Sequence, residues 1–341
     1  MAILPSSFFA KWYLLLLSFI KCGNRNFGQN PNQARKNTKN RIFAARKFLS
    51  MKKMPKETAY FLDMEEEFAQ EETAKYVLIP APYDGTSTFV KGADKGPQAI
   101  IEASDSLELY DTIYEMEAYT AGIFTDTPVL DLATPEAMVN SVYARTCRFM
   151  DRGKTVGLLG GEHSVSVGAI RAAKERYPNL SVLQIDAHAD LRDEYHHSPF
   201  NHACVMRRAQ EMGANVVQVG IRNVCIEEKP NIVEDNIFYA HHIVGADPEW
   251  MDRVCARLTD EVYLTIDLDG LDPSVLPATG TPLPGGLSWY ELLRLLDKVA
   301  KNRRIVGFDV VELCPQPDNV VSDVLAATLV YRIITMLEHY H

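Results

Sequence analysis

Ser181-Val-Leu-Gln-Ile-Asp-Ala-His-Ala-Asp190 is a short apolar run that ends in alternating acid and imidazole. Such a run reads as a buried strand. If strand geometry persists past Ile185, the D-x-H-x-D tail sends Asp186, His188 and Asp190 to one side, with Ala187 and Ala189 facing away. Carboxylates crowded at the end of a strand repel one another and lose hydration, so they call for a cation.

Three more clusters follow the same plan. Thr155–Leu159 leads into Gly160-Gly161-Glu162-His163, Val262–Ile266 leads into Asp267-Leu268-Asp269, and Arg304–Phe308 leads toward Glu312 at the end of a Gly-Phe-Asp-Val-Val-Glu run. Any one of these acids alone reads as a turn former or helix cap, and His163 alone as a satisfied polar histidine. Together they read as a metal centre. Four ionised aspartates (186, 190, 267 and 269) balance the charge of two divalent ions, with two neutral imidazoles completing the shell. The imidazoles disfavour calcium, and the excess of oxygen ligands disfavours a structural zinc site. Mixed oxygen and imidazole ligation suits manganese best, with nickel, cobalt or zinc as alternatives.

The surrounding pattern is α/β. Further apolar runs occur at Tyr76–Ile79 and Val216–Val219. Helix-length amphipathic segments separate the runs at Pro97–Leu109, Pro135–Asp151, Val165–Tyr177, Pro248–Leu258 and Ser288–Lys301. Strands joined by helical connectors predict a three-layer α/β/α fold with a mainly parallel central sheet. In such a sheet the ligand site lies at the carboxyl ends of the strands, where every cluster above is placed. The glycines before His163 permit a tight turn into a helix starting near Ser164. The expected organisation is a single catalytic domain over 75–341, an acidic lead-in over 55–74 and a basic, disordered extension over 1–54.

Charge is unevenly divided. Of 35 basic residues in the 341-residue chain, eleven lie in 1–54, which holds no acid; the remainder carries 24 basic against 45 acidic residues. That field favours cationic small molecules and disfavours nucleic acid, although an acidic surface serves solubility equally well. The apolar stretch Trp12–Ile20 is too short to span a bilayer, which needs roughly 20 residues. The expectation for 1–54 is an over-extended start, with translation from Met51 or Met54; an organelle-targeting segment is the alternative. Six scattered cysteines without a C-x-x-C pair predict reduced thiols and a cytoplasmic protein.

The motifs PYDGTST (82–88), KGADKGPQAI (91–100), GGEHS (160–164), DAHADLRDEY (186–195), NHACVMRR (201–208), TIDLDGLDPSVLPATGTPLPGG (265–286) and GFDVVEL (307–313) resemble those of the ureohydrolases, the family of arginases and agmatinases. The resemblance runs from Tyr76 to the C-terminus and is nearest the agmatinases. It implies two manganese ions. His163, Asp186, Asp190 and Asp267 would hold one, and His188, Asp186, Asp267 and Asp269 the other. It further implies that Asp190 passes a proton to the departing amine, that Glu312 pairs with the guanidinium, and that His202 shuttles protons. The implied reaction is agmatine to putrescine and urea, as in polyamine biosynthesis, by a homo-oligomer, commonly a trimer or hexamer. Arginine, 4-guanidinobutyrate and aminopropyl-agmatine are alternative substrates.

Arginases carry an Asn- and Ser/Thr-bearing loop after the D-x-H-x-D motif. This chain reads Leu191-Arg192-Asp193-Glu194-Tyr195, an agmatinase form in which Asp193 or Glu194 could meet a distal ammonium. The segments 84–88 and 92–97 read either as part of the pocket rim or as a simple turn before a helix. The Pro- and Gly-dense stretch 273–286 reads as a rigid loop beside the metals. Asp309 reads as support for the site or as a satisfied polar residue. Two other functions compete: a single-zinc amide hydrolase of the histone-deacetylase kind, and a non-catalytic homologue. The full ligand set speaks against both.

Overall fold

In the computed structural model, residues 60–341 are described; the expectations for 1–54 lie outside them. Eight strands form one sheet: β1 (Tyr76–Ala81), β2 (Ile123–Thr125), β3 (Thr155–Gly160), β4 (Ser181–Ile185), β5 (Asn215–Ile221), β6 (Ile237–Tyr239), β7 (Glu261–Asp267) and β8 (Arg304–Val311). Their order is β2-β1-β3-β8-β7-β4-β5-β6, and every pairing is parallel. The strand residues are buried nearly throughout, as a sheet covered on both faces requires.

Alternation along the strands divides the core in two. Leu78, Leu183, Ile185, Val217, Val219, Leu264 and Ile266 point into one layer, and Val77, Ile79, Val182 and Val216 into the other. The first layer is covered by α1 (Gly96–Ser104), α6 (Glu249–Arg257), α7 (Trp289–Asn302) and α8 (Val320–Tyr340), the second by α2 (Pro135–Met150), α3 (Ser166–Arg176) and α4 (Val205–Glu211); a single turn, α5 (Ala240–Ile243), follows β6. Local chemistry sets the helix starts. Thr134 Oγ1 accepts from Ala137 N ahead of Pro135, and Ser288 with Glu291 forms a reciprocal capping box at α7.

The described part of the lead-in, from Tyr60, joins this body. Phe61 and Leu62 are fully buried in the first layer, and their amides donate to Thr125 Oγ1 and Ser104 Oγ. Differences from expectation are local. The segment 97–109 stays helical only to Ser104, and a 3-10 turn at His163–Val165 precedes α3. Strands β2 and β6, helices α4 and α8 and the single turn α5 join the elements anticipated from the pattern.

Candidate metal centre

Four neighbouring strands, β3, β8, β7 and β4, end beside one another and deliver the site. Register sets the levels: Ile185 pairs with Ile266, and Asp267 pairs with Val311. Asp186, Asp267 and Glu312 therefore leave adjacent strand ends at nearly one height. His163 arrives from β3 through a turn held by Gly161, whose added Cβ would lie 2.0 Å from the Tyr83 carbonyl oxygen. That turn is pinned by Gly161 N donating to Ala81 O and Glu162 N donating to Tyr83 O.

Strand geometry does not persist into 186–190, which corrects the alternation expected there: β4 stops at Ile185, and Asp190 takes a positive φ of 54°. Convergence is reached by turning the chain. Asp186 Oδ1 accepts from His188 N (2.6 Å), and Asp190 O accepts from Met206 N and Arg207 N at the start of α4. Glu312 also sits at positive φ, 66°, with its amide donating to Gly161 O.

Two groups of possible metal ligands result: His163, Asp186 and Asp190, and Asp186, His188 and Asp269. They share Asp186. His163 Nδ1 lies 2.9 Å from Asp190 Oδ2, 3.2 Å from Asp186 Oδ2 and 3.5 Å from Asp267 Oδ2; His188 Nδ1 lies 3.1 Å from Asp269 Oδ2. Asp267 thus stands beside the first group, and its Oδ1 accepts from Asp269 N. Glu312 Oε1 accepts from His163 N (2.8 Å), and His202, Asp267 and Glu312 line one cavity of about 420 Å³ with the two histidines.

The donor set fits divalent ions on an observation independent of any likeness. His163 is 1 % exposed; its Nε2 meets Thr265 Oγ1 at 2.9 Å, whereas its Nδ1 makes no well-aligned hydrogen bond although Asp190 Oδ2 lies 2.9 Å away. Thr265 donates its only proton to Asp309 Oδ1 (2.6 Å), so its oxygen accepts from Nε2–H and the lone pair of His163 is left on Nδ1, among carboxylates. Electrostatics agree. Burial, then Asp269 and Asp186, push the Asp267 carboxyl well above the usual range, and burial and Asp186 push Asp190 up to about 7. Burial opposes charge on His188, but Asp269 and Asp186 outweigh it and raise the ring to about 11. Crowded carboxylates of this kind are what a bound cation would neutralise.

Residues 74–336 match the family model described as the arginase family. The chain belongs to the arginase family. N(1)-aminopropylagmatine ureohydrolase of Synechocystis is 39% identical over 271 residues, 76% of this chain and 88% of that protein. Agmatinase of Pyrococcus horikoshii is 32% identical over 279 residues, 80% of this chain and 96% of that protein. Among solved structures, the agmatine ureohydrolase of Thermoplasma volcanium superposes with a TM-score of 0.73 at 31% identity, covering 80% of this chain and 94% of the other.

In this arginase-family site several side chains stand outside the motif reading. Gln184 donates to Asp186 Oδ2 (2.6 Å), and Gln218, its register partner, donates to Gln184 Oε1 and Ala189 O. Their signal was present in sequence: each is a glutamine flanked on both sides by aliphatic residues within a strand. Arg222 donates to the carbonyls of Asp269, Leu271 and Leu283, tying the 273–286 loop to the turn that follows β7, and Thr281 of that loop donates to Asp269 Oδ2. No local signal marks Arg222. The 84–88 segment does reach the cavity, through Thr88. Asp193 does not: it is bonded to Arg207 on the outside, and the exposed Glu194 is likewise absent from the cavity lining. The acid in the outer wall is Glu228, 5 % exposed, which accepts from Leu191 N and Cys225 N.

Proposed function

We propose that this chain is a manganese-dependent hydrolase of guanidino-alkylamines, converting agmatine to putrescine and urea. The observation that carries the reading is the sharing of Asp186 between two histidine–carboxylate groups on the floor of a cavity whose wall holds Glu312. When bound, two divalent ions would offset the carboxylates and make water nucleophilic at neutral pH.

The chain's own residues do the rest. Glu312 offers a carboxylate to the planar guanidinium fork and presents its central carbon to the floor. Burial and then Glu162 push the Glu312 carboxyl well above the usual range, so an arriving cation is what stabilises its ionised form. Water adds to that carbon as Asp190 takes up its proton, the bond to the alkyl nitrogen breaks, and Asp190 hands that proton to the departing amine, leaving urea. His202 moves protons between cavity and solvent. At the outer wall Arg192 is neutralised by Glu227 (2.9 Å) and lies over the Tyr195 ring. Glu228 therefore remains the acid there to meet a distal ammonium. The five cysteines among the described residues are free thiols, which supports a reducing, cytoplasmic setting.

A second reading, N1-aminopropylagmatine as substrate, is favoured by the name of the relative at 39% identity. The same residues would act, with spermidine as the amine product. One panel decides: the full chain, stripped and reloaded with manganese, assayed for urea from agmatine, N1-aminopropylagmatine, arginine and 4-guanidinobutyrate. Agmatine turnover with putrescine formed supports the proposal. Exclusive use of N1-aminopropylagmatine moves the substrate and keeps the chemistry. Turnover of arginine alone overturns the reading of the outer wall, and no urea from any of them overturns the hydrolase.

A further inference from the structure

We propose that Thr86 is a positioning residue that fixes His202 as the tautomer protonated at Nδ1, leaving Nε2 bare for the catalytic cavity. The inference rests on the proposed role of His202 as proton carrier.

Thr86 belongs to the loop after β1, and its hydroxyl makes three contacts. Oγ1 donates to Glu162 Oε1 at 2.8 Å, accepts from the backbone N of His202 at 3.1 Å, and stands 3.4 Å from His202 Nδ1. A hydroxyl has one proton and two lone pairs. Glu162 is fully buried and is an acceptor on every side: Oε1 also takes the Ser164 hydroxyl (2.8 Å) and Oε2 takes Ser164 N (2.9 Å). The Thr86 proton is thereby committed to Glu162. Both lone pairs of Oγ1 then face His202, one toward its amide and one toward Nδ1, and a lone pair can be satisfied there only by an Nδ1–H. The neutral ring carries a single N–H, so Nε2 is the nitrogen that can accept a proton. Burial keeps His202 neutral, pushed down to about 4. The Nδ1 contact is long for a hydrogen bond, as catalytic contacts are before substrate closes the site.

A tautomer lock is a function that a hydroxyl performs and a methyl of the same shape does not. Thr86→Val keeps the β-branched form and removes the oxygen; Thr86→Ser keeps the oxygen. In the manganese-loaded full chain, with the panel substrate turned over fastest, Thr86→Val is expected to lower kcat by at least about tenfold, with KM within about twofold. Thr86→Ser should stay within about threefold of the parent. The deciding measurement is a double-mutant cycle with His202→Asn: if Thr86 acts through His202, Thr86→Val costs nothing further once His202 is gone. Multiplying losses, or a Thr86→Val enzyme with parental kcat beside a crippled His202→Asn, overturn the inference and leave His202 in its role. A His202→Asn enzyme with parental kcat overturns the proton-carrier reading itself, and this inference with it. Metal content is measured in each variant, and Thr86→Ala replaces Thr86→Val if the valine variant does not load.

Discussion

On His163 the two ring nitrogens have different tasks. Nε2 is held by Thr265, which Asp309 holds in turn, and Nδ1 is left facing three aspartates. Replacing Thr265 by valine keeps the volume and removes the relay. We expect metal affinity in Thr265→Val to fall by about 10–100-fold with the fold intact, read by metal titration and circular dichroism; unchanged affinity would remove Thr265 from the site's support. Glu312 is tested by the amide. Glu312→Gln still accepts from His163 N through its oxygen, so both metals should stay bound, while the loss of charge opposite the guanidinium should lower kcat/KM by about 100-fold. Parental kcat/KM in that variant would be incompatible with the pairing. Asp190 and Glu312 share a feature that motif spacing does not express: each is a non-glycine residue at positive φ. Their conformations are held by backbone bonds to α4 and to the β3 turn, contacts made across long sequence separations.

Among the elements, α8 and the 273–286 loop show what pattern reading reaches and where it stops. The loop was legible as a rigid stretch because proline and glycine restrict it locally. What holds it is Asp272, whose Oδ1 accepts from Ser274 N and Oγ and whose Oδ2 accepts from Gly285 N and Gly286 N. The Ser274 hydroxyl first, then the amides, hold the Asp272 carboxyl down to about 2, against an ordinary 3.8. Because the folded value is the lower one, this stabilisation is complete above about pH 4 and disappears as pH falls toward 2. Asp272→Asn should therefore be less stable than the parent near neutrality, by about 1 kcal/mol. The gap should close between pH 4 and pH 2 in denaturant titrations, and a gap that persists at pH 2 would refute the capping role. Helix α8 is legible only as a hydrophobic segment. Val320–Tyr340 is apolar enough in length and composition to cross a membrane. It has no polar stripe to mark a surface face, because it packs on α1 and α7 as a core helix. Strands β2 and β6, three residues each, are too short to leave a period at all.

For the molecule as a whole, the centre concentrates Asp186, Asp190, Asp267, Asp269 and Glu312, all buried, at the end of one sheet. Such a cluster favours the folded state only when cations bind it, so ligand linkage sets the apparent stability. Saturating manganese should raise Tm by several degrees over the chelated protein, since a ligand at 100 times its Kd contributes about 2.7 kcal/mol. A Tm indifferent to chelation would contradict a centre built from these residues. The amino-acid sequence by itself determined the α/β class, six of the eight strands, and the identity of the acids and imidazoles that follow them. These are local properties, since side-chain period and residue type need only a few neighbours to be read. The tertiary structure alone decided that β8 inserts between β3 and β7, so that Glu312, the last of the site residues in sequence, follows a strand lying between those that lead to His163 and Asp267. It alone brought Thr86 to His202 and Arg222 to Leu283. Those meetings depend on how layers pack on the two faces of a parallel sheet, where burial of apolar surface sets strand order and no short window of sequence records the partner.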